Sequence, residues 1–213
     1  MSEHVYWLHE QRCLTAVKSL RSNGFKAIYC PSQRDAYENI ISAAQDAVSI
    51  GLGGSKTLEE LDLVPELARM GKELLLRDLP GLTAEQQLAV RRRHLTCDLF
   101  LTSTNALTLA GQMVNVDGIG NRVGAMTFGP RKVIVVAGRN KIALDLEAAL
   151  RRTREIAAPA NAHRLNKKLP CALTGSCSDC HSPERICRIT VILDRMPILS
   201  DIRVLVVNAD MGY

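Results

Sequence analysis

Residues 133–137 read Val-Ile-Val-Val-Ala, an apolar run with no polar position inside it. A strand with one face in water alternates apolar and polar side chains. An unbroken run therefore calls for cover on both faces, the situation of a strand inside a parallel α/β sheet. That requirement organises the rest of the chain.

Residues 3–21 place apolar side chains near helical spacing behind Ser2 as a cap, and Asn23-Gly24 supplies a stop. Residues 25–30 read as a strand closed by Pro31, followed by a helix over about 33–44 that Ser32 is placed to cap. A short buried strand at 47–50 runs into the glycine loop Gly51-Leu-Gly-Gly-Ser-Lys-Thr57 and a helix start. The next unit has a strand at 73–76, a capping box of Thr83 and Gln86 opening a helix to about Leu95, and a strand at 99–102. This alternation implies a mostly parallel sheet flanked by helices. Residues 106–110 and 112–116, separated by Gly111 and bounded by Asp117-Gly118, read as a tight hairpin, a small β insert. A helix over 145–156 and strands at 188–193 and 203–208 complete the pattern. The expectation is one α/β domain over 1–213, with strands 47–50, 99–102 and 133–137 as neighbours or near neighbours and a Cys-rich segment at 170–188.

The chain has 213 residues, 46% of them hydrophobic, enough for one sizeable core. No run approaches the roughly 18 apolar residues of a membrane span, and the first ten residues lack the basic start and apolar stretch of a secretory signal. A cytoplasmic protein is expected. With a net charge of +5 and only 4% aromatic residues there is little stacking surface for single-stranded nucleic acid, so a small anionic molecule, or an acidic partner, is expected. The basic runs at 91–94, 151–154 and 167–168 are expected to be solvated faces. Nothing fixes the oligomeric state.

Three loops carry candidate chemistry. In the glycine loop, Gly53, Gly54 and Ser55 can bring backbone N–H groups to an anion, and Lys56 and Thr57 add donors. The spacing is neither that of the P-loop nor that of the dinucleotide fingerprint, and the glycines are also what a tight strand-to-helix turn needs. Ser103, Thr104 and Asn105 follow a predicted parallel strand, where open α/β sheets bind ligands, although such residues equally cap and turn a backbone. In the segment 116–124, Asp117 is a candidate acid/base and Arg122 a candidate clamp on carboxylate or phosphate, beside Asn121; an Asp-Gly turn with an exposed Arg is the plainer account.

The last quarter brings Cys171, Cys177, Cys180 and Cys187 into one polar segment. Under reducing conditions such a group ligates a metal or does redox chemistry, since thiolate binds soft metals. Five residues separate the first two thiols, two the next pair and six the last. That spacing is not the bacterial ferredoxin run, and it lacks the paired Cys-x-x-Cys units common in zinc sites, so spacing does not name the metal. Cys13, Cys30 and Cys97 fall in helix or strand neighbourhoods and are expected to be ordinary buried residues.

Five ordered blocks, at 51–57, 102–106, 114–122, 128–141 and 175–187, resemble the LUD domain, the lactate-utilization family and formerly a domain of unknown function. The resemblance covers nearly the whole chain. It implies the fold of the sugar-phosphate isomerase and coenzyme A transferase superfamily (NagB/RpiA/CoA transferase-like). It also implies an accessory or subunit role in oxidation of L-lactate, or a related small organic acid, to pyruvate, alongside iron–sulfur redox subunits. On that view Lys56, Arg122 and Lys141 bind carboxylate, and the four-cysteine site favours an iron–sulfur cluster, with zinc as the alternative. The multi-cluster ferredoxin-like segments of such systems are absent from these residues. A non-catalytic metal-bearing assembly or regulatory module and a sugar-phosphate isomerase-like enzyme remain as alternatives; the isomerase would leave the four cysteines without a role.

Overall fold

The computed structural model describes residues 2–213. In chain order the elements are α1 (Glu3–Ser22), β1 (Lys26–Cys30), α2 (Gln33–Ala44), β2 (Ser49–Leu52), α3 (Lys56–Glu59), α4 (Val64–Arg69), β3 (Glu73–Leu75), α5 (Ala84–Arg93), β4 (Leu99–Ser103), β5 (Ala106–Thr108) and β6 (Met113–Asp117). They continue with α6 (Asn121–Thr127), β7 (Lys132–Gly138), β8 (Ile142–Ala143), α7 (Leu146–Arg152), α8 (Ala158–Arg164), α9 (Pro170–Thr174), β9 (Ile189–Leu193) and β10 (Ile202–Val207). Helix starts follow local chemistry. Ser2 caps α1, and Ser32 with Asp35 and Thr83 with Gln86 form reciprocal capping boxes at α2 and α5, each satisfying N–H groups that a helix leaves free.

Six strands form one sheet in the order β1-β10-β7-β4-β2-β3, every pair parallel. The apolar run lies in β7, between β10 and β4, as its composition requires. Its side chains divide between two cores: Val133, Val135 and Ala137 pack with Leu20 and Phe25 on one face, and Ile134 and Val136 with Ile40 and Leu67 on the other. All five are at most 2% exposed. The strands expected at 47–50, 99–102 and 133–137 are consecutive neighbours β2, β4 and β7.

The β insert is larger than a hairpin. β5 and β6 pair antiparallel as expected, but β8 joins β5 in parallel and β9 joins β6 antiparallel, giving a four-stranded sheet β8-β5-β6-β9. The helix expected to end at 156 instead continues through a π turn at Thr153–Ala157 into α8, ending at Arg164. Among the described residues no helix is long and apolar enough to cross a membrane.

The basic runs are not simply solvated faces. His94 is fully buried, its ring Nε2 2.9 Å from Leu75 O, and Arg93 pairs with Glu73. Arg152 reaches inward to donate to the carbonyls of Asn140 and Asn105. Helical geometry turns successive residues by about 100°, so a basic run is spread around the helix rather than kept on one face.

Candidate functional site

Parallel strands bring their carboxyl ends to one edge of the sheet, and the loops beyond β2, β4 and β7 meet there. They line a cleft of about 550 Å³ that takes in Gly54, Ser55, Lys56, Thr57, Asn105, Asp117, Asn121, Arg122 and Lys141. The cleft also takes in Arg77, Arg91, Arg164, Lys167, Arg185 and Arg188, so its walls hold six arginines and three lysines against the acidic Asp78, Asp117 and Glu184. Such an imbalance in a partly enclosed space attracts anions. The additional cations come from segments distant in sequence, and only the fold assembles them.

The glycines of the loop divide the work. Gly53 is buried, donates its N–H to Leu101 O at 2.9 Å, and has no room for a side chain beside Thr102 without displacement, so it is a packing glycine and not part of the cleft lining. Gly54 is exposed, and the Arg77 guanidinium occupies the space its Cβ would take, only 2.0 Å from that position. Lys56 is exposed and pairs with Glu59 at 3.2 Å.

Asp117 and Arg122 form a closed network. Arg122 Nε donates to Asp117 Oδ1 at 2.9 Å, and the other Asp117 oxygen accepts the backbone N–H groups of Arg122 and Val123, both at 3.1 Å. The remaining Arg122 donors go to Ser103 O, Asn115 Oδ1, Asn105 Oδ1 and Val116 O, all between 2.8 and 2.9 Å. Every N–H of the guanidinium is spent within the chain. Asn105 is committed likewise, its side-chain oxygen also accepting from Val116 N. These residues set the shape and field of the wall, while two side-chain nitrogens on the cleft, Asn121 Nδ2 and Arg91 Nε, are buried without a partner.

Lys141 stands differently. It sits in the turn after β7, only 3% exposed, with Nζ donating to Thr57 Oγ1 at 2.7 Å and Ser103 Oγ at 2.8 Å. Burial, then the positive charges of Arg152 and Arg122, push its pKa down from 10.5 to about 7, with Glu60 opposing weakly. Its amine is thus poised between charged and neutral near neutral pH.

Cys171, Cys177, Cys180 and Cys187 line one small cavity of about 20 Å³. All four are free thiols. Cys171 has its pKa raised by burial first and then by the negative charge of the other three, which marks their proximity. Arg185 ties the segment together, donating to Cys180 O at 2.8 Å, Cys187 O at 2.9 Å and Asp179 Oδ1 at 2.8 Å. Sharing a cavity falls short of a closed coordination sphere: among the described residues no group of three or more His, Cys, Asp or Glu is arranged to hold a metal ion. The donor set itself, four soft sulfurs with no competing oxygen on the cavity except Asp179 and Ser178, fits a thiophilic metal. Arg185 and Ile186 line both this cavity and the large cleft. Cys13, Cys30 and Cys97 are buried core residues, as expected, and burial pushes the first two thiols up to about 12.

The fold and cleft define an α/β protein with a cleft lined mainly by cationic side chains at the carboxyl edge of a parallel sheet. It belongs to the LUD domain family, whose sequence model matches residues 14–207. The solved structure of a DUF162 family protein from Deinococcus radiodurans is similar, with a TM-score of 0.54 and 15% identity, covering 93% of this chain and 98% of that one. At that identity the likeness speaks for the fold. A search of curated proteins finds no match.

Proposed function

We propose that this chain is a lactate-utilization protein that binds a small anionic organic acid, L-lactate or its oxidation product pyruvate, as an accessory or subunit of the oxidising system. The observation that carries the reading is the charge of the cleft, nine cationic side chains against three acidic ones. Lys56 supplies a permanent charge toward the carboxylate, Lys141 meets the acid from the floor of the cleft, the backbone of Gly54 and Ser55 with Thr57 and Asn121 supplies neutral donors, and Asp117, Asn105 and Arg122 hold the wall in shape. Cys171, Cys177, Cys180 and Cys187 are the residues that would hold an iron–sulfur cluster, or zinc as the alternative. A cluster would supply one-electron transfer to partner redox subunits, and the wall formed by Arg185 and Ile186 between thiols and cleft supports such a role.

The test joins two measurements on anaerobically purified protein: titration calorimetry with L-lactate and with pyruvate, and a visible spectrum with iron and zinc analysis. Binding of either acid together with iron-dependent colour is the expected result. Neither acid binding would overturn the cleft assignment. Colourless protein with stoichiometric zinc and no acid binding would instead make the chain a metal-bearing assembly module.

A further inference from the structure

We propose that Lys141 is an amine nucleophile that condenses reversibly with the carbonyl group of a small 2-oxo acid, forming a Schiff base on the floor of the cleft. This rests on the organic-acid reading of the cleft and deepens it: it names the carbonyl form as the ligand and Lys141 as the atom that meets it.

The geometry separates Lys141 from the other lysines of the cleft. Lys56 and Lys167 are exposed or half-exposed and paired with Glu59 and Glu184, as solvated ammonium groups are. Lys141 is sequestered at the end of the central strand, pairs with no carboxylate among the described residues, and is held by two hydroxyl oxygens alone. A buried ammonium with neutral partners and two arginines acting on it is electrostatically disfavoured, and the lowered pKa is the measure of that. Desolvation and neighbouring cations are the two devices by which proteins keep a lysine amine neutral and nucleophilic. A simple carboxylate clamp needs neither, because a permanently charged, exposed lysine serves better.

The step balances without an oxidant or reductant. The Nζ lone pair attacks the carbonyl carbon and forms the C–N bond while the C=O π pair moves to oxygen. A proton passes from nitrogen to that oxygen, giving a carbinolamine. Departure of the hydroxyl as water, with a second nitrogen proton transferred to it, leaves the C=N bond. Thr57 and Ser103 hydroxyls, within hydrogen-bond reach of Nζ, are placed to relay these protons. Once the imine is protonated, the carboxylate of the acid supplies the counter-charge that the protein withholds from Lys141.

The experiment is reductive trapping. The full chain is incubated with pyruvate and cyanoborohydride near neutral pH, and the adduct is measured by intact mass and located by peptide mapping, beside a Lys141→Arg variant that keeps a cation but cannot form an imine. The expected result is a single adduct on Lys141, absent from the variant. Adducts on Lys56, Lys167 or other lysines with none on Lys141, or equal labelling of the variant, overturn the assignment. Should the variant fail to fold, mapping of the parent chain still locates the adduct. Calorimetry with pyruvate keeps the two levels apart: binding without a trappable adduct removes the Schiff base and leaves the organic-acid site, whereas no binding removes both.

Discussion

Arg122 Nε meets Asp117 Oδ1 at 2.9 Å, and the other four N–H groups of the same guanidinium are also spent, on carbonyl and amide oxygens of four further residues. The pair lies mostly out of water, with side chains 14% and 10% exposed. Removal of one partner from such a pair leaves a desolvated charge behind. Arg122→Lys keeps the charge but concentrates three donors on one atom, which cannot reach acceptors spread around a planar fork. The expected loss is about 2–4 kcal/mol of stability, read by urea denaturation. A variant that unfolds at the parent's midpoint would mean that the network is not what holds this wall.

Lys141 gives a stability signature with a definite sign. In the folded chain it loses its proton near pH 7, whereas the unfolded chain holds it until about 10.5. Between these values the unfolded state binds more protons, so the Lys141 contribution to unfolding free energy rises with pH. The charged groups that act on it are Arg152 and Arg122, which lower its pKa, and Glu60, which raises it; Thr57 and Ser103 contact it as neutral hydroxyls. Cys13 and Cys30, with pKa values raised from 9.0 to about 12, act oppositely above pH 9, so the comparison must be a difference. Lys141→Met is expected to be more stable than the parent at pH 6 to 7, with the gap closing as pH rises toward 10. A gap independent of pH would show that the amine is not perturbed.

The glycine loop offers a test of binding against folding. Gly54 is exposed and its missing side chain is the space the Arg77 guanidinium fills, so Gly54→Val evicts an arginine from the cleft wall without entering the core. Anion affinity is expected to fall several-fold while the melting temperature stays near that of the parent. Gly111→Val is the contrast. It sits at φ +81° with its absent Cβ 2.7 Å from backbone atoms of α1, where no side chain fits, and it should lower stability directly. Equal loss of stability in both variants would make Gly54 a packing residue.

How much of this could be read from residues alone follows from the range of the interactions. The β7 run, the Ser32 cap and the Thr83–Gln86 capping box were legible because their causes lie within a few residues: burial on both faces in the first case, N–H groups three residues from the cap in the others. The pairing of Asp117 with Ile189 in β6 and β9 was not, since register between segments so distant is set by packing. Lys141 could be named as a site residue from its block, but its two hydroxyl partners come from α3 and β4, and its titration depends on Arg152 at the end of α7. Asp117 and Arg122 looked like an acid and a clamp in sequence; the structure spends both on each other and on the backbone.

The cysteine cavity is tested by deletion of single thiols. Cys177 and Cys180 lie on the loop that Arg185 anchors through Cys180 O and Asp179, so either can be replaced by Ala while the anchor, made through a main-chain carbonyl and a neighbouring carboxylate, persists. Loss of bound iron or zinc in Cys177→Ala and Cys180→Ala, with little change in the cooperative unfolding of the parallel sheet, is the expected outcome. The sheet should be spared because none of the four thiols belongs to either of its two cores. The cleft should respond more than the sheet, since Arg185 and Ile186 form a wall common to both sites: organic-acid affinity is expected to weaken when the metal is lost. Full metal occupancy in both variants would rule out Cys177 and Cys180 as ligands. Metal loss with unchanged acid affinity would separate the two sites and remove the case for electron transfer across that wall.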